Sequence, residues 1–235
     1  MIIIYYFSIL LLSYIYLGYP LSLYSLSLFK KYNIIYLVGY LPSVSIIIAA
    51  YNEEKVIEDK IKNTLELDYP KEKLEIIVFS DSSKDNTDDI VKRYEKVGVK
   101  LLRIEGRKGK TFCQNRAVKH AKGEIVVFSD ANSIYQSDAI KKLVRNFADK
   151  QIGCVSGELK YFSSDNNNDK NSEGFYWKYE KMIKRLESKN SSLVGANGAI
   201  YAVRKKLYVF LEDFAISDFT EPLMIFKNGC RVIYE

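Results

Sequence analysis

Val44-Ser45-Ile46-Ile47-Ile48-Ala49-Ala50-Tyr51-Asn52-Glu53-Glu54 is an apolar run that stops abruptly in polar and acidic residues. A charge-free run rich in β-branched residues predicts a strand buried on both faces, the kind found inside a parallel sheet. The residues after it predict a helix over residues 53–67, because Val56, Ile57, Ile61 and Leu65 recur at helical spacing, with Asn52 as its N-cap. Strand, polar turn and helix together open a βαβ unit. In open α/β sheets ligands collect where such strands end.

The same alternation continues downstream. Residues 74–79, 99–104 and 124–128 read as strands, with helices over about 88–97, 111–121 and 138–147 among them. Residues 151–161 and 198–203 read as further strands and 173–189 as an aromatic, basic helix. A helix over 219–227 closes on Gly229 as its C′ residue, and 231–235 reads as a last strand. The Asn- and Asp-rich stretch 163–172 predicts a mobile loop. The expected fold is α/β, a Rossmann-like, mainly parallel sheet flanked by helices.

Residues 1–29 hold no charged side chain and are dominated by Ile, Leu, Tyr, Phe and Ser. At about 1.5 Å per helical residue they exceed a hydrocarbon core of roughly 30 Å, so they predict one transmembrane helix, bent near Gly18 and Pro20. A cleavable signal would want a basic start, a shorter apolar core and small residues at a cleavage site. Lys30 and Lys31 then place the rest of the chain on the cytoplasmic side. The division expected is a span over 1–29, an interfacial linker over 30–43 and one globular domain over 44–235.

The chain has 235 residues and a net charge of +6. That charge comes from scattered lysines, which suits a solvated surface near an anionic membrane and not a nucleic-acid partner. Cys113, Cys154 and Cys230 lie far apart without a CxxC spacing, so neither a zinc site nor a disulfide framework is indicated, and a reducing compartment fits.

Three carboxylates, Asp81, Asp130 and Asp218, each follow or flank an apolar run. Gathered at strand ends, such groups suit a metal-bound nucleotide and a general base. Tyr51 offers a face for a base, Asn52 and Glu53 offer polar edges, and helix N-terminal amides favour anions. Arg107, Lys108 and Lys110 cluster around Gly106 and Gly109, where cations could neutralise a diphosphate or simply form a solvated basic loop. Asp85 reads as a helix cap, and Asp218-Phe219-Thr220-Glu221 also scans as a capping box. Gly195-Ala196-Asn197-Gly198 reads as a tight turn. His120, the single histidine, reads as a surface residue, and Trp177 as part of a packed or membrane-facing aromatic stripe.

Taken in order, these segments resemble the processive family 2 glycosyltransferases, the membrane synthases of cellulose, hyaluronan and poly-N-acetylglucosamine type. The matching pieces are Ser45 to Glu54, Ser80-Asp81-Ser82-Ser83-Lys84-Asp85-Asn86-Thr87, Gly109-Lys110 with Asn115-Arg116-Ala117, Ser129-Asp130-Ala131-Asn132-Ser133, Gly195-Ala196-Asn197-Gly198-Ala199, and Ser217-Asp218-Phe219 with Gly229-Cys230-Arg231-Val232. Each is weak alone; their order over about 190 residues makes them specific.

The resemblance implies a GT-A type fold and an inverting transfer from a UDP-sugar donor to a carbohydrate acceptor. It implies that Ala50, Tyr51 and Glu53 line the uridine pocket, that Asp81 meets the uracil ring and that Lys110 meets the diphosphate. It implies that Asp130 holds Mg²⁺ or Mn²⁺, with Asn132 standing where the family's DxD motif has its second carboxylate. Asp218 would be the general base and Gly195, Asn197 and Gly198 would shape the acceptor pocket. The family usually places an acidic residue where this chain has Ser217. The synthases it resembles continue with a QxxRW-type segment and further membrane spans, so a truncated or smaller relative is expected here, with room for a partner membrane subunit. The rival reading is a non-catalytic nucleotide-sugar-binding module that regulates a partner synthase. A nucleotidyltransferase would want a glycine-rich phosphate loop where Tyr51-Asn52-Glu53-Glu54 stands.

Overall fold

The computed structural model of the protein describes residues 2–29, 35–159 and 174–235. The predicted loop 163–172 lies outside them, as do residues 30–34 of the predicted linker. The strands are Val44–Ala50 (β1), Leu74–Asp81 (β2), Val99–Ile104 (β3), Ile125–Asp130 (β4), Ile152–Ser156 (β5), Ile200–Arg204 (β6) and Arg231–Tyr234 (β7). They form one seven-stranded sheet in the order β3-β2-β1-β4-β6-β5-β7. β1 runs parallel to β2 and β4, β2 to β3, and β5 to β7, while β6 is antiparallel to both its neighbours. The sheet is therefore mainly parallel, with one reversed strand whose direction a short apolar run does not encode.

Alternation along the strands divides the core into two layers. Ile46 and Ile48 face one layer, where Ile57 and Ile61 of α3 (Ile57–Leu65) pack with Ile140 and Val144 of α6 (Ala139–Arg145). Ile47 faces the other, with Cys113 and Ala117 of α5 (Lys110–His120) and Ile225 of α8 (Ser217–Lys227). Each isoleucine buried this completely contributes roughly 1.5–3 kcal/mol of transfer free energy. Cys113, Cys154 and Cys230 are free thiols, and His120 is exposed.

Several local expectations change. α3 begins at Ile57 and not at Glu53, because Asn52 takes a left-handed conformation and carries the chain through a turn first. Asn52 is therefore not an N-cap; its Oδ1 accepts the Lys84 N–H at 2.8 Å across the loops. The helix expected over 88–97 is a shorter α4 (Thr87–Lys92) followed by a 3₁₀ turn, Glu95–Val97. The strand expected over 151–161 stops at Ser156. Asn86, not Asp85, is the N-cap of α4; Asp85 precedes it, and its Oδ1 accepts the Thr87 N–H at 3.0 Å from outside the helix. The box expected at Asp218 does not form, since α8 already starts at Ser217 and Glu221 turns inward to accept the Val209 N–H at 2.8 Å. α8 closes on Gly229 as expected, with Gly229 N–H donating to Phe226 O and Cys230 N–H to Ile225 O.

Ile2–Phe29 is one apolar helix of 28 residues, long and apolar enough to cross a membrane. It comprises α1 (Ile2–Ser13), a π-helical turn over Tyr14–Gly18 and α2 (Tyr19–Phe29). The irregularity falls where a bend was expected. Pro20 has no N–H for the carbonyl of Tyr16, and the Tyr179 hydroxyl donates to that carbonyl at 3.0 Å. Tyr179 belongs to α7 (Phe175–Asn190), which runs beside α2; Tyr19 also donates to Glu187 at 2.6 Å and Asn190 to Leu23 O at 2.7 Å. The C-terminal end of α7 is fixed to β7 by Arg231, which donates to the carbonyls of Ser188 and Ser191.

Candidate active site

Parallel register brings the strand ends together. Ala50 pairs with Ser80, Ser80 with Arg103, and Ala49 with Asp130, so Tyr51, Asp81 and Asp130 leave the sheet side by side. The loops that leave β1, β2 and β3 each hold a non-glycine residue with positive φ: Asn52 at 55°, Ser82 at 59° and Arg107 at 49°. Among the described residues these are the only ones. Each such residue costs about 1 kcal/mol or more and persists only where its surroundings hold it. Ser82 is held because its hydroxyl donates to Ile104 O and accepts the Gly106 N–H at 2.8 Å. Strain concentrated at one end of the sheet marks that end as the working end.

There the loops enclose a cleft of about 340 Å³, lined by Ala50, Tyr51, Glu53, Asp81, Lys110, Asp130 and Asn132, with Ala49, Phe79, Arg107, Gly109 and Ala131. Every residue assigned from the sequence to nucleotide or metal thus borders a single cavity. Both oxygens of the buried Asp81 accept backbone amides of the basic loop, Lys108 at 2.7 Å and Gly109 at 2.9 Å, and the carboxylate keeps lone pairs beyond these bonds. Of the two cations left open by the sequence, Arg107 enters the cleft, its guanidinium 3.1 Å from the centre of the Tyr51 ring.

Lys110 Nζ lies 2.6 Å from Asp130 Oδ1. Burial, then Asp130 and Asp85, raise the Glu53 carboxyl above its ordinary pKa. Among the described residues no three His, Cys, Asp or Glu side chains gather to hold a metal unaided. A hard dication that shares substrate phosphates needs only one or two carboxylates. Half-exposed Asp130 with the exposed Asn132 amide fits that modest requirement.

Asp218, in the first turn of α8, does not line the cleft but comes near Lys110 at its edge. A Cβ at Gly198 would lie 2.4 Å from Asp218 Oδ2 and 3.6 Å from Lys110 Nζ, so carboxylate and ammonium approach the same point. Pro222 sits inside α8 and supplies no N–H to the carbonyl of Asp218, which instead accepts the Ala196 N–H at 2.8 Å. The expected turn forms around Asn197, whose Oδ1 accepts the Ala199 N–H at 3.1 Å, while Gly195 lies against Phe219. A second cavity of about 330 Å³ borders Ala199, Ile200, Gly157 and Glu158 on the far side of the turn that follows Asp130.

Two buried ionisable groups escaped the sequence reading. Lys60 lies in α3 beneath the turn after Asp130; burial pulls its pKa down to about 7, against the charge of Asp130. Glu221 lies one turn beyond Asp218, and burial raises its carboxyl to about 8. The folded state therefore keeps a Glu221 proton that the unfolded chain releases near 4.5. The stability this gives is present below about 4.5 and is lost as pH rises through about 8. Melting temperature should thus fall across that window, and Glu221→Gln should flatten the profile and melt higher than the parent at pH 8. Parallel melting curves of the two proteins would refute this assignment.

Comparison with known proteins agrees with the geometry. The family model for glycosyl transferase family 2 matches residues 45–209. The poly-beta-1,6-N-acetyl-D-glucosamine synthase of Staphylococcus aureus is 28% identical over 204 residues, 84% of this chain and 49% of the relative. The chain thus spans about half the length of the curated relatives it matches first. The mannosyltransferase PcManGT from Pyrobaculum calidifontis, solved with GDP-Man and Mn²⁺, superposes with a TM-score of 0.82 at 26% identity, over 96% of this chain and 65% of that one. S. aureus TarS 1-349, solved with UDP-GlcNAc, shares the fold at 20% identity and a TM-score of 0.63, over 82% and 56% of the two chains. The sheet and its helices are of the GT-A type.

Proposed function

The chain belongs to glycosyl transferase family 2, and we propose that it transfers a sugar from a UDP-sugar to a carbohydrate hydroxyl with inversion at the anomeric carbon. The carrying observation is the approach of Asp218 and Lys110 to one point beside Gly198, at the edge of a cleft that Tyr51, Asp81 and Asp130 border. In this reading uridine occupies the Tyr51, Ala50, Glu53 and Asp81 side, where the Arg107 guanidinium already covers one face of the Tyr51 ring. The diphosphate lies toward Lys110 and Asp130, and the sugar toward Asp218.

Asp218 removes the acceptor hydroxyl's proton as that oxygen attacks the anomeric carbon from the face opposite the leaving UDP. Lys110 stabilises the charge that develops on the diphosphate. A Mg²⁺ or Mn²⁺ held by Asp130, Asn132 and the donor's own phosphates would add positive charge at the leaving group. The turn at Gly195, Asn197 and Gly198 shapes the acceptor side. Residues 1–29 anchor the domain in the membrane, the linker 30–43 follows, and Lys30 and Lys31 favour a cytoplasmic domain over 44–235. A partner membrane subunit would serve the acceptor.

The GDP-Man bound to the mannosyltransferase supports a second reading, a GDP-sugar donor in the same cleft. One experiment decides. Detergent-solubilised protein with Mn²⁺ is given a panel of UDP- and GDP-sugars, and nucleotide diphosphate release is measured. Release from one or more UDP-sugars is expected. Release from GDP-sugars alone would overturn the choice of base, and silence across the panel would favour a nucleotide-sugar-binding module that regulates a partner synthase.

A further inference from the structure

The turn after Asp130 rests on an unusual foundation. Lys60 of α3 is fully buried, at 0% exposure. Among the described residues it forms no ion pair; its ammonium donates to Ser133 Oγ at 3.4 Å and lies 3.4 Å from the centre of the Tyr135 ring. A buried, unpaired ammonium is costly, and an apolar side chain of similar volume is often neutral or stabilising in its place. Stability alone therefore does not explain a lysine here.

Its two partners do more than pack. Ser133 Oγ donates to Asp130 O at 2.8 Å and also meets Ala199 O at 3.3 Å. The Tyr135 hydroxyl donates to the same Ala199 carbonyl at 3.0 Å. Asn63, one turn along α3, braces the backbone of Tyr135 in both directions, at 2.8 and 2.9 Å. Lys60 thus underlies a knot that ties the turn of Asp130 and Asn132 to the turn of Asn197, Gly198 and Ala199.

We propose that Lys60 is a positioning residue, which through Ser133 and Tyr135 fixes the Asp130–Asn132 turn against the Asn197–Ala199 turn and so sets the diphosphate end of the cleft relative to Asp218. The placement beneath that turn is geometric; the role rests on the transferase reading above. A buried charge that burial disfavours, yet which the Asp130 charge supports, is the pattern expected where stability is traded for a preorganised site.

The test compares the parent with Lys60→Met, which keeps length and removes charge, and Lys60→Gln, which keeps a donor for Ser133. Melting temperature, UDP-sugar turnover, UDP affinity and amide hydrogen exchange are measured for each. Lys60→Met should melt no lower than the parent and lose roughly tenfold or more in kcat. Its UDP affinity should change far less, and exchange should quicken selectively in residues 130–135 and 197–199. Lys60→Gln should lie between the two. Unchanged exchange and kcat in a well-folded Met variant would overturn the proposal. So would a loss of activity that merely follows the unfolded fraction in both variants. Should the Met variant not fold, the Gln variant decides by the same measures. A parent silent with every donor would sink the transferase reading alone, because the exchange pattern still reports whether Lys60 holds the two turns.

Discussion

Asp218→Asn should lower sugar transfer about 10³- to 10⁴-fold, the upper part of what a positioned proton acceptor contributes. The substitution keeps shape and removes the charge that takes the proton in the proposed mechanism. It leaves the Asp218 carbonyl free to hold the Ala196 N–H, so the turn around Asn197 stays in place. Asp218 is not among the residues that line the cleft, so, with the nucleotide in that cleft as proposed, UDP affinity should stay within about twofold of the parent. Isothermal titration with UDP and a steady-state release assay separate the two quantities. Full turnover by the variant would place the base elsewhere, and a matching loss of UDP affinity would mean that Asp218 serves binding.

Gly198→Ala should have the next largest effect, about 10²-fold in kcat. The added Cβ would meet Asp218 Oδ2 at 2.4 Å and its Cγ at 3.3 Å, with Lys110 Nζ at 3.6 Å. Nothing in the backbone prevents alanine there, since Gly198 has an ordinary φ. The carboxylate must swing aside, and a shift near 1 Å at a reacting group is enough for a loss of that size. Melting temperature and UDP affinity should hold. The double variant with Asp218→Asn should be no worse than Asp218→Asn alone, because groups that act as one unit do not add. An additive double variant would show that the two positions act independently.

Much of this site was legible because parallel strands place their ends side by side. Tyr51, Asp81 and Asp130 each follow an apolar run, and once the runs are read as parallel strands their convergence follows. Other features depend on contacts that no local pattern encodes. Lys60 falls on the same helix face as Ile57, Ile61 and Thr64, yet a lysine there reads as a stem that carries its charge out to water; its ammonium instead stays inside because Tyr135 and Ser133, far along the chain, meet it. Glu221 scans as the far half of a capping box because the spacing is right; its actual partner is the Val209 amide in the preceding loop. Asn52 reads as a cap for the same reason, spacing, while its left-handed backbone is imposed by bonds to Ser83 and Lys84 on a neighbouring loop. Direction is likewise invisible in Ile200–Arg204, which pairs in reverse only because of where the chain re-enters the sheet.

Pro20 and Pro222 occupy equivalent situations at opposite ends of the chain. Each removes one rung from its own helix, and the carbonyl so released, Tyr16 or Asp218, is taken by a donor from another segment, Tyr179 or Ala196. Neither helix can therefore rotate about its axis without pulling on its neighbour. In α8 the coupling is mechanical and direct: a tilt that moved the Asp218 side chain would drag the opposing loop by its main chain, so the carboxylate and the turn around Asn197 travel as one piece.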